Sequence, residues 1–186
     1  MQENALRLTD KLAQYGIIVE EDRDIYHYGF EVLISSVTTV FAILLLGMLT
    51  GSLTEVMAYM VAFIPIRFCI GGYHAPTASL CFWASIASVT LTIRIGRLLD
   101  PTAIPILIAI SLALIYIMAP AIHPNHPHSA RRRATLKKRA IIVGIAESVL
   151  ILLLASIKPE YSIIMTLSFF ITSAGMVLSK LCGQSK

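Results

Sequence analysis

The sequence predicts an all-α integral membrane protein with six transmembrane helices, preceded by an N-terminal amphipathic segment. Three observations carry that reading. Of 186 residues, 56% are hydrophobic and only 14% charged, against about 25% charged in an ordinary soluble domain. Apolar runs recur near the length of roughly 20 residues that spans a hydrocarbon core as a helix. Alternating strand segments of about ten residues, which would signal a membrane barrel, are absent, so each run must satisfy its own backbone as a helix.

The runs are bounded by charge, glycine or proline and extend from Val32 to Leu49, Leu53 to Ile70, Ala78 to Ile95, Thr102 to Ile122, Ala140 to Ile157 and Tyr161 to Leu181. Residues 1–28 form a cytoplasmic or interfacial segment on this reading, and residues 29–182 a six-helix membrane domain with a basic cytoplasmic loop at 123–139. In the first segment Leu6, Leu8, Leu12, Ile17 and Ile18 alternate with charge, as in a helix lying on a membrane surface. A solvated tail reads the same way. Glu3, Asp10, Glu20, Glu21, Asp22 and Asp24, with no basic flank or small-residue cleavage site, do not resemble a signal peptide.

Lysine and arginine placement sets the expected orientation. With the N-terminus cytoplasmic, the inner side holds Arg7, Lys11, Arg23, Arg67, the cluster Arg131, Arg132, Arg133, Lys137, Lys138 and Arg139, and Lys180 and Lys186. Only Arg94, Arg97 and Lys158 remain outside. This asymmetry predicts a multi-pass cell-membrane protein with both termini cytoplasmic, and with the Gly71 to Thr77 turn on the same side as the basic cluster.

Chemistry concentrates between the second and third runs, in Arg67-Phe68-Cys69-Ile70-Gly71-Gly72-Tyr73-His74-Ala75-Pro76-Thr77-Ala78-Ser79-Leu80-Cys81. Two glycines permit a sharp turn, Pro76 suits the start of a helix and Thr77 can cap it. Cys81 then falls near the first turn of the third span. On one continuous helix residues 74 and 81 would stand about 10 Å apart along the axis, too far for proton transfer. A turn lets the imidazole of His74 fold back onto the thiol. The helix N-terminus and a nearby imidazolium both favour the thiolate, which is the nucleophilic form. Attack on a peptide carbonyl, with His74 protonating the leaving amine, is the chemistry such a pair performs.

This run, with Arg67, then Gly71-Gly72-Tyr73-His74-Ala75-Pro76, and a cysteine seven residues after the histidine, resembles the accessory gene regulator B family of Gram-positive quorum-sensing systems. Chain length, six spans, the motif after the second span and the proline-punctuated, then basic stretch from Ala119 to Lys138 are similar too. The resemblance implies a membrane cysteine endopeptidase. It would cleave a small precursor signal peptide, hold the product as a thioester on Cys81, and pass it to an internal nucleophile to give a cyclic thiolactone or lactone signal. Arg67, Gly72, His74 and Cys81 stand at the family's functional positions. The implied partners are that precursor peptide and membrane lipids, with a homodimer as an option and no nucleic acid.

Each residue also has a plainer reading. Arg67 could snorkel to the headgroups. Glu147, about 10 Å into the fifth run, needs a partner at that depth and could orient His74, neutralise Arg67 or serve structurally. Cys69 lies before the glycine turn with no helix N-terminus facing it, and Cys182 has no motif around it; both read as small apolar residues. Three cysteines without CxxC or zinc-ligand spacing fit neither a disulfide framework nor a zinc finger. His123, His126 and His128 are separated by Pro124 and Pro127, which prevent the helical spacing of paired metal ligands. No metal and no other cofactor is expected. The cluster from Arg131 to Arg139 is a topology signal that also attracts anionic lipid, and Arg131, Arg132 and Arg133 could dock an acidic peptide tail. A competing class, a small membrane transporter or channel for an ion or peptide, would account for the spans and for Glu147. Such proteins place their polar groups near midplane, often in two related halves, and the sequence shows neither feature.

Overall fold

A computed structural model of the protein describes residues 2–19, 22–71, 77–121 and 130–181. These form seven helices: α1 (Gln2–Gln14), α2 (Arg23–Leu49), α3 (Leu53–Ile70), α4 (Ala78–Gly96), α5 (Ile104–Met118), α6 (Ala130–Ala155) and α7 (Pro159–Leu181). A 3-10 turn, Pro101–Ala103, leads into α5. No strand occurs among the described residues.

Five of these elements are long and apolar enough to cross a membrane: α2, α3, α4, the turn with α5, and α7. The expected count of six is not reached on that criterion, because α6 divides its length. Its first ten residues include Arg131, Arg132, Arg133, Lys137, Lys138 and Arg139, and Glu147 interrupts the apolar remainder. The basic stretch itself departs from expectation, since residues 130–139 are helical rather than loop. No glycine or proline breaks them, and Ala, Arg, Leu and Lys are all strong helix formers. The fourth span is also shorter than predicted. It stops at Met118, and Ala119 is extended because Pro120 follows. The helix of the first span, by contrast, begins at Arg23 rather than Val32, nine residues earlier, and runs unbroken past residue 28.

The bundle is organised around α7, which packs against α3, α4, α5 and α6. Ser162, Thr166, Ser168, Thr172, Ser173 and Ser179 on this helix are all buried. A hydroxyl removed from water must find an acceptor. Ser162 donates to the Ile151 carbonyl of α6 at 2.8 Å and Ser168 to the Tyr59 carbonyl of α3 at 3.0 Å. Thr166, Thr172 and Ser173 bond back to their own helix. Small side chains let backbones approach, which is how helices associate where lipid is as apolar as leucine. Phe169, Ile163, Ile164 and Met176 fill the spaces between, against Ile66 and Ile70 of α3, Ile115 of α5 and Ile151 of α6. Peripheral α2 packs on α3 and α4 through Gly47, whose missing Cβ would lie 2.9 Å from Val56 Cγ2.

The amphipathic reading of the N-terminus needs adjustment in its residues. α1 docks against α2 with Ala5 and Thr9 buried, and an ion pair joins Arg23 to Asp10. Leu6, Leu8 and Ile17 stay exposed.

Gly144 on α6 shows how closely the centre is packed: an added Cβ would meet Leu112 Cδ2 at 3.3 Å and Phe169 Cζ at 3.5 Å. Gly144→Ala should leave thermal stability in detergent nearly unchanged, since about 1 kcal/mol of helix propensity offsets a contact with flexible chain ends. Gly144→Leu should destabilise by about 1–3 kcal/mol through overpacking. Equal melting temperatures for the two variants would contradict this packing.

Candidate active site

The site assembles where α3 ends and α4 begins. Gly71 closes α3 with φ of 71°, a conformation that favours glycine. Its N–H donates to the Arg67 carbonyl at 3.1 Å, while Arg67 Nη1 donates to the Gly71 carbonyl at 2.9 Å. The arginine thus folds back over the end of its own helix and holds the departing chain. A second clamp comes from the far side of the bundle. Ala121, just past the end of α5, donates its N–H to the Ile70 carbonyl at 2.9 Å. Its carbonyl oxygen would lie 2.6 Å from a Cβ on residue 71. Two independent constraints, backbone angle and space, therefore require glycine here.

On the other side of the turn, Thr77 caps α4 as the sequence predicts. It is extended, and its hydroxyl accepts from the Leu80 N–H at 3.2 Å. Cys81 N–H closes the first intrahelical bond, to the Thr77 carbonyl at 3.1 Å. Cys81 is accordingly the fourth residue of the helix, one turn from its positive end. The helix itself leaves the N–H groups of Ala78 and Ser79 unused. Cys81 is part-buried, and the Arg67 guanidinium is near enough to interact electrostatically with it and with the Tyr59 hydroxyl. Tyr59, eight residues or about 12 Å further in along α3, bonds Ser88 Oγ of α4 at 3.1 Å and so ties α3 to α4 beneath the site. Sequence reasoning missed both Tyr59 and Ala121. Neither carries a local motif, and each matters only through contacts distant in the chain.

Arg67, in the last turn of α3, and Cys81, in the first turn of α4, flank the same connection. Gly72 and His74 lie outside the described residues, as do Cys182, His123, His126 and His128. Glu147 is 6% exposed and neither carboxylate oxygen has a hydrogen-bond partner among the described residues. Glu147 on α6 lies near the α3 backbone at Ile66 and within electrostatic range of the Cys69 thiol.

Arg131, Arg132 and Arg133 are exposed on the first turn of α6, at the same end of the bundle as Cys81. Lys180 of α7 lies within electrostatic range of Arg133 and Lys137, and Lys137 stands 5.4 Å over the Tyr116 ring. Cations at a helix N-terminus oppose the helix dipole, and no acidic residue in that turn relieves them. The opposite end is locked. Arg97, closing α4, makes a two-pronged contact with Glu55 of α3, Nε to Oε1 at 2.9 Å and Nη2 to Oε2 at 3.0 Å, and reaches Ser52 Oγ at 3.1 Å.

A family model described as Accessory gene regulator B matches residues 5–178 of the chain. No curated protein and no solved structure matches it.

Gly71→Ala should loosen the junction selectively. An alanine forced to positive φ costs about 1–2 kcal/mol, so amide exchange at Ala121 should speed up by about tenfold or more. Gly51→Ala provides the comparison, because Gly51 also has positive φ but open space around it. If both variants leave exchange at Ala121 unchanged, the clamp is not formed in the membrane.

Proposed function

The chain belongs to the accessory gene regulator B family, membrane proteins of the quorum-sensing system that processes an autoinducer peptide, and from that premise we propose that it is a membrane cysteine endopeptidase acting through Cys81 and His74. In this reading the Cys81 thiolate attacks a peptide carbonyl of a small precursor and His74 protonates the departing amine. The N-terminal product stays on Cys81 as a thioester. An internal thiol or hydroxyl of the peptide then displaces the Cys81 sulfur and closes a thiolactone or lactone ring. The observation that carries the proposal is the placing of Cys81 in the first turn of α4, behind the Thr77 cap, across from the Gly71 end of α3 that Arg67 clasps, with His74 in the connection between them. His74 is tethered by three residues to the capping Thr77 and by three to the clamped Gly71, which keeps it within reach of Cys81.

Arg67 acts as the clasp of the turn and as a cation on the side of the reacting sulfur, and Gly72 stands at a functional position of the family. Unused N–H groups at the start of α4 supply donors for the oxyanion that forms on attack. Glu147 serves as a structural support of α3 behind the site. We assign α6 as the sixth span, with its basic first turns standing out of the hydrocarbon. The Arg67 end is assigned to the cytoplasm from the distribution of lysine and arginine. α1 then lies at the cytoplasmic surface, with its exposed leucines toward lipid. Arg131, Arg132 and Arg133 dock an acidic segment of the precursor, where it would relieve the unfavourable charge at the α6 N-terminus.

Two experiments test this. In the first, Cys81→Ala and His74→Ala each abolish precursor cleavage while inserting normally, and Cys69→Ala and Cys182→Ala leave it largely intact. Cleavage by Cys81→Ala at the parent rate would overturn the peptidase reading and return the transporter alternative. In the second, Arg131, Arg132 and Arg133 are replaced together by Gln. A single surface pair contributes only about 0–1 kcal/mol, so the effect should appear in the triple variant and weaken with added salt. The precursor concentration for half-maximal cleavage should rise while the maximal rate holds. Unchanged binding by a correctly oriented triple variant would reduce the cluster to a topology signal.

A further inference from the structure

At the locked end of the bundle, α2, α3 and α4 enclose a groove of about 140 Å³, far larger than the roughly 30 Å³ a water occupies in the liquid. Its floor is apolar, made by Val56, Val89 and Ile93. Its rim is charged, and the charges do not cancel. Arg97 is neutralised by Glu55 and pinned by Ser52. Arg94, one turn before the end of α4, is exposed and makes no hydrogen bond or ion pair among the described residues. The groove thus carries one net positive charge at its mouth and an apolar wall below.

The remaining polar atoms are acceptors. The Thr50 hydroxyl donates its proton to the Leu46 carbonyl at 2.8 Å, and Thr90 donates to Ile86 at 2.9 Å. Both oxygens therefore have only lone pairs to offer a ligand. Thr90 also stands four residues, about 6 Å, deeper along α4 than Arg94. A fitting occupant carries an anion at the mouth, hydrogen-bond donors beside it and a hydrocarbon chain running inward.

We propose that this groove binds one anionic phospholipid with a hydroxylated headgroup, of the phosphatidylglycerol type, from the leaflet at the Arg97 end. Its phosphate sits at Arg94, a headgroup hydroxyl donates to Thr50 at the outer rim, and the start of an acyl chain runs inward past Thr90 onto Val56 and Val89. A zwitterionic choline lipid has neither the net charge nor the donors. The groove is at the opposite end from Cys81, so the site does not depend on the peptidase reading, and a lipid-binding readout is independent of cleavage.

The test is native mass spectrometry of the full-length protein in detergent, mixed with phosphatidylglycerol or phosphatidylcholine. The Arg131, Arg132, Arg133→Gln variant serves as parent, which removes much of the anionic-lipid attraction of the other end. The expected result is preferential retention of one phosphatidylglycerol. Arg94→Gln should weaken it by about fivefold or more, the worth of one arginine near an anionic surface. Arg94→Lys should retain it, which separates loss of charge from loss of fold. Thr90→Trp, which fills the groove and leaves the charge, should also lose it. Equal retention of the two lipids would overturn the proposal. So would undiminished binding by Arg94→Gln, retention by Thr90→Trp, or displacement of the lipid by glycerol 1-phosphate at matched concentration, which would mean that the chain contributes nothing.

Discussion

The structure depends on the hydroxyl-rich face of α7. In a medium without water, a serine or threonine is tolerated only where its proton finds a carbonyl, and the small side chain then allows close approach of the neighbouring backbone. Ser168 meets α3 and Ser162 meets α6 in this way, which makes α7 the axis against which α3, α4, α5 and α6 pack. Fixing α3 on that axis fixes where Ile70 and Gly71 emerge. α5 packs on the same axis, which carries Ala121 to the α3 terminus. The candidate site is thus positioned from behind: α7 holds α3 and α5, their ends clamp Gly71, and the chain can only leave toward α4 and Cys81.

How much of this was legible in the sequence follows from the range of the forces involved. Hydropathy and breakers act locally, so α3 and the end of α7 appear where the composition puts them, and Thr77 caps α4 as its position beside Pro76 requires. Which span lies at the centre was not legible. All the apolar runs look alike to the membrane, and serine and threonine acquire meaning only through the carbonyls they reach. The same holds for Gly71. Its need for positive φ can be guessed from a glycine pair, but the Ala121 carbonyl that would collide with a side chain there is fifty residues away in sequence. Residues 130–139 were read as loop because charge was weighed above helix propensity.

The two ends of the bundle divide rigidity from chemistry. At one end Arg97, Glu55 and Ser52 tie α3 to α4 by three hydrogen bonds in one fork, geometry that holds both the distance and the rotation of the pair. At the other end the same two helices are joined by a short connection, and Arg67 spends a hydrogen bond on its own turn rather than on a carboxylate across the gap. Glu147 of α6 is buried against α3 behind this junction and makes no hydrogen bond among the described residues. α3 and α4 are thereby tied where Arg97 meets Glu55, and joined at the other end by the connection between Gly71 and Thr77.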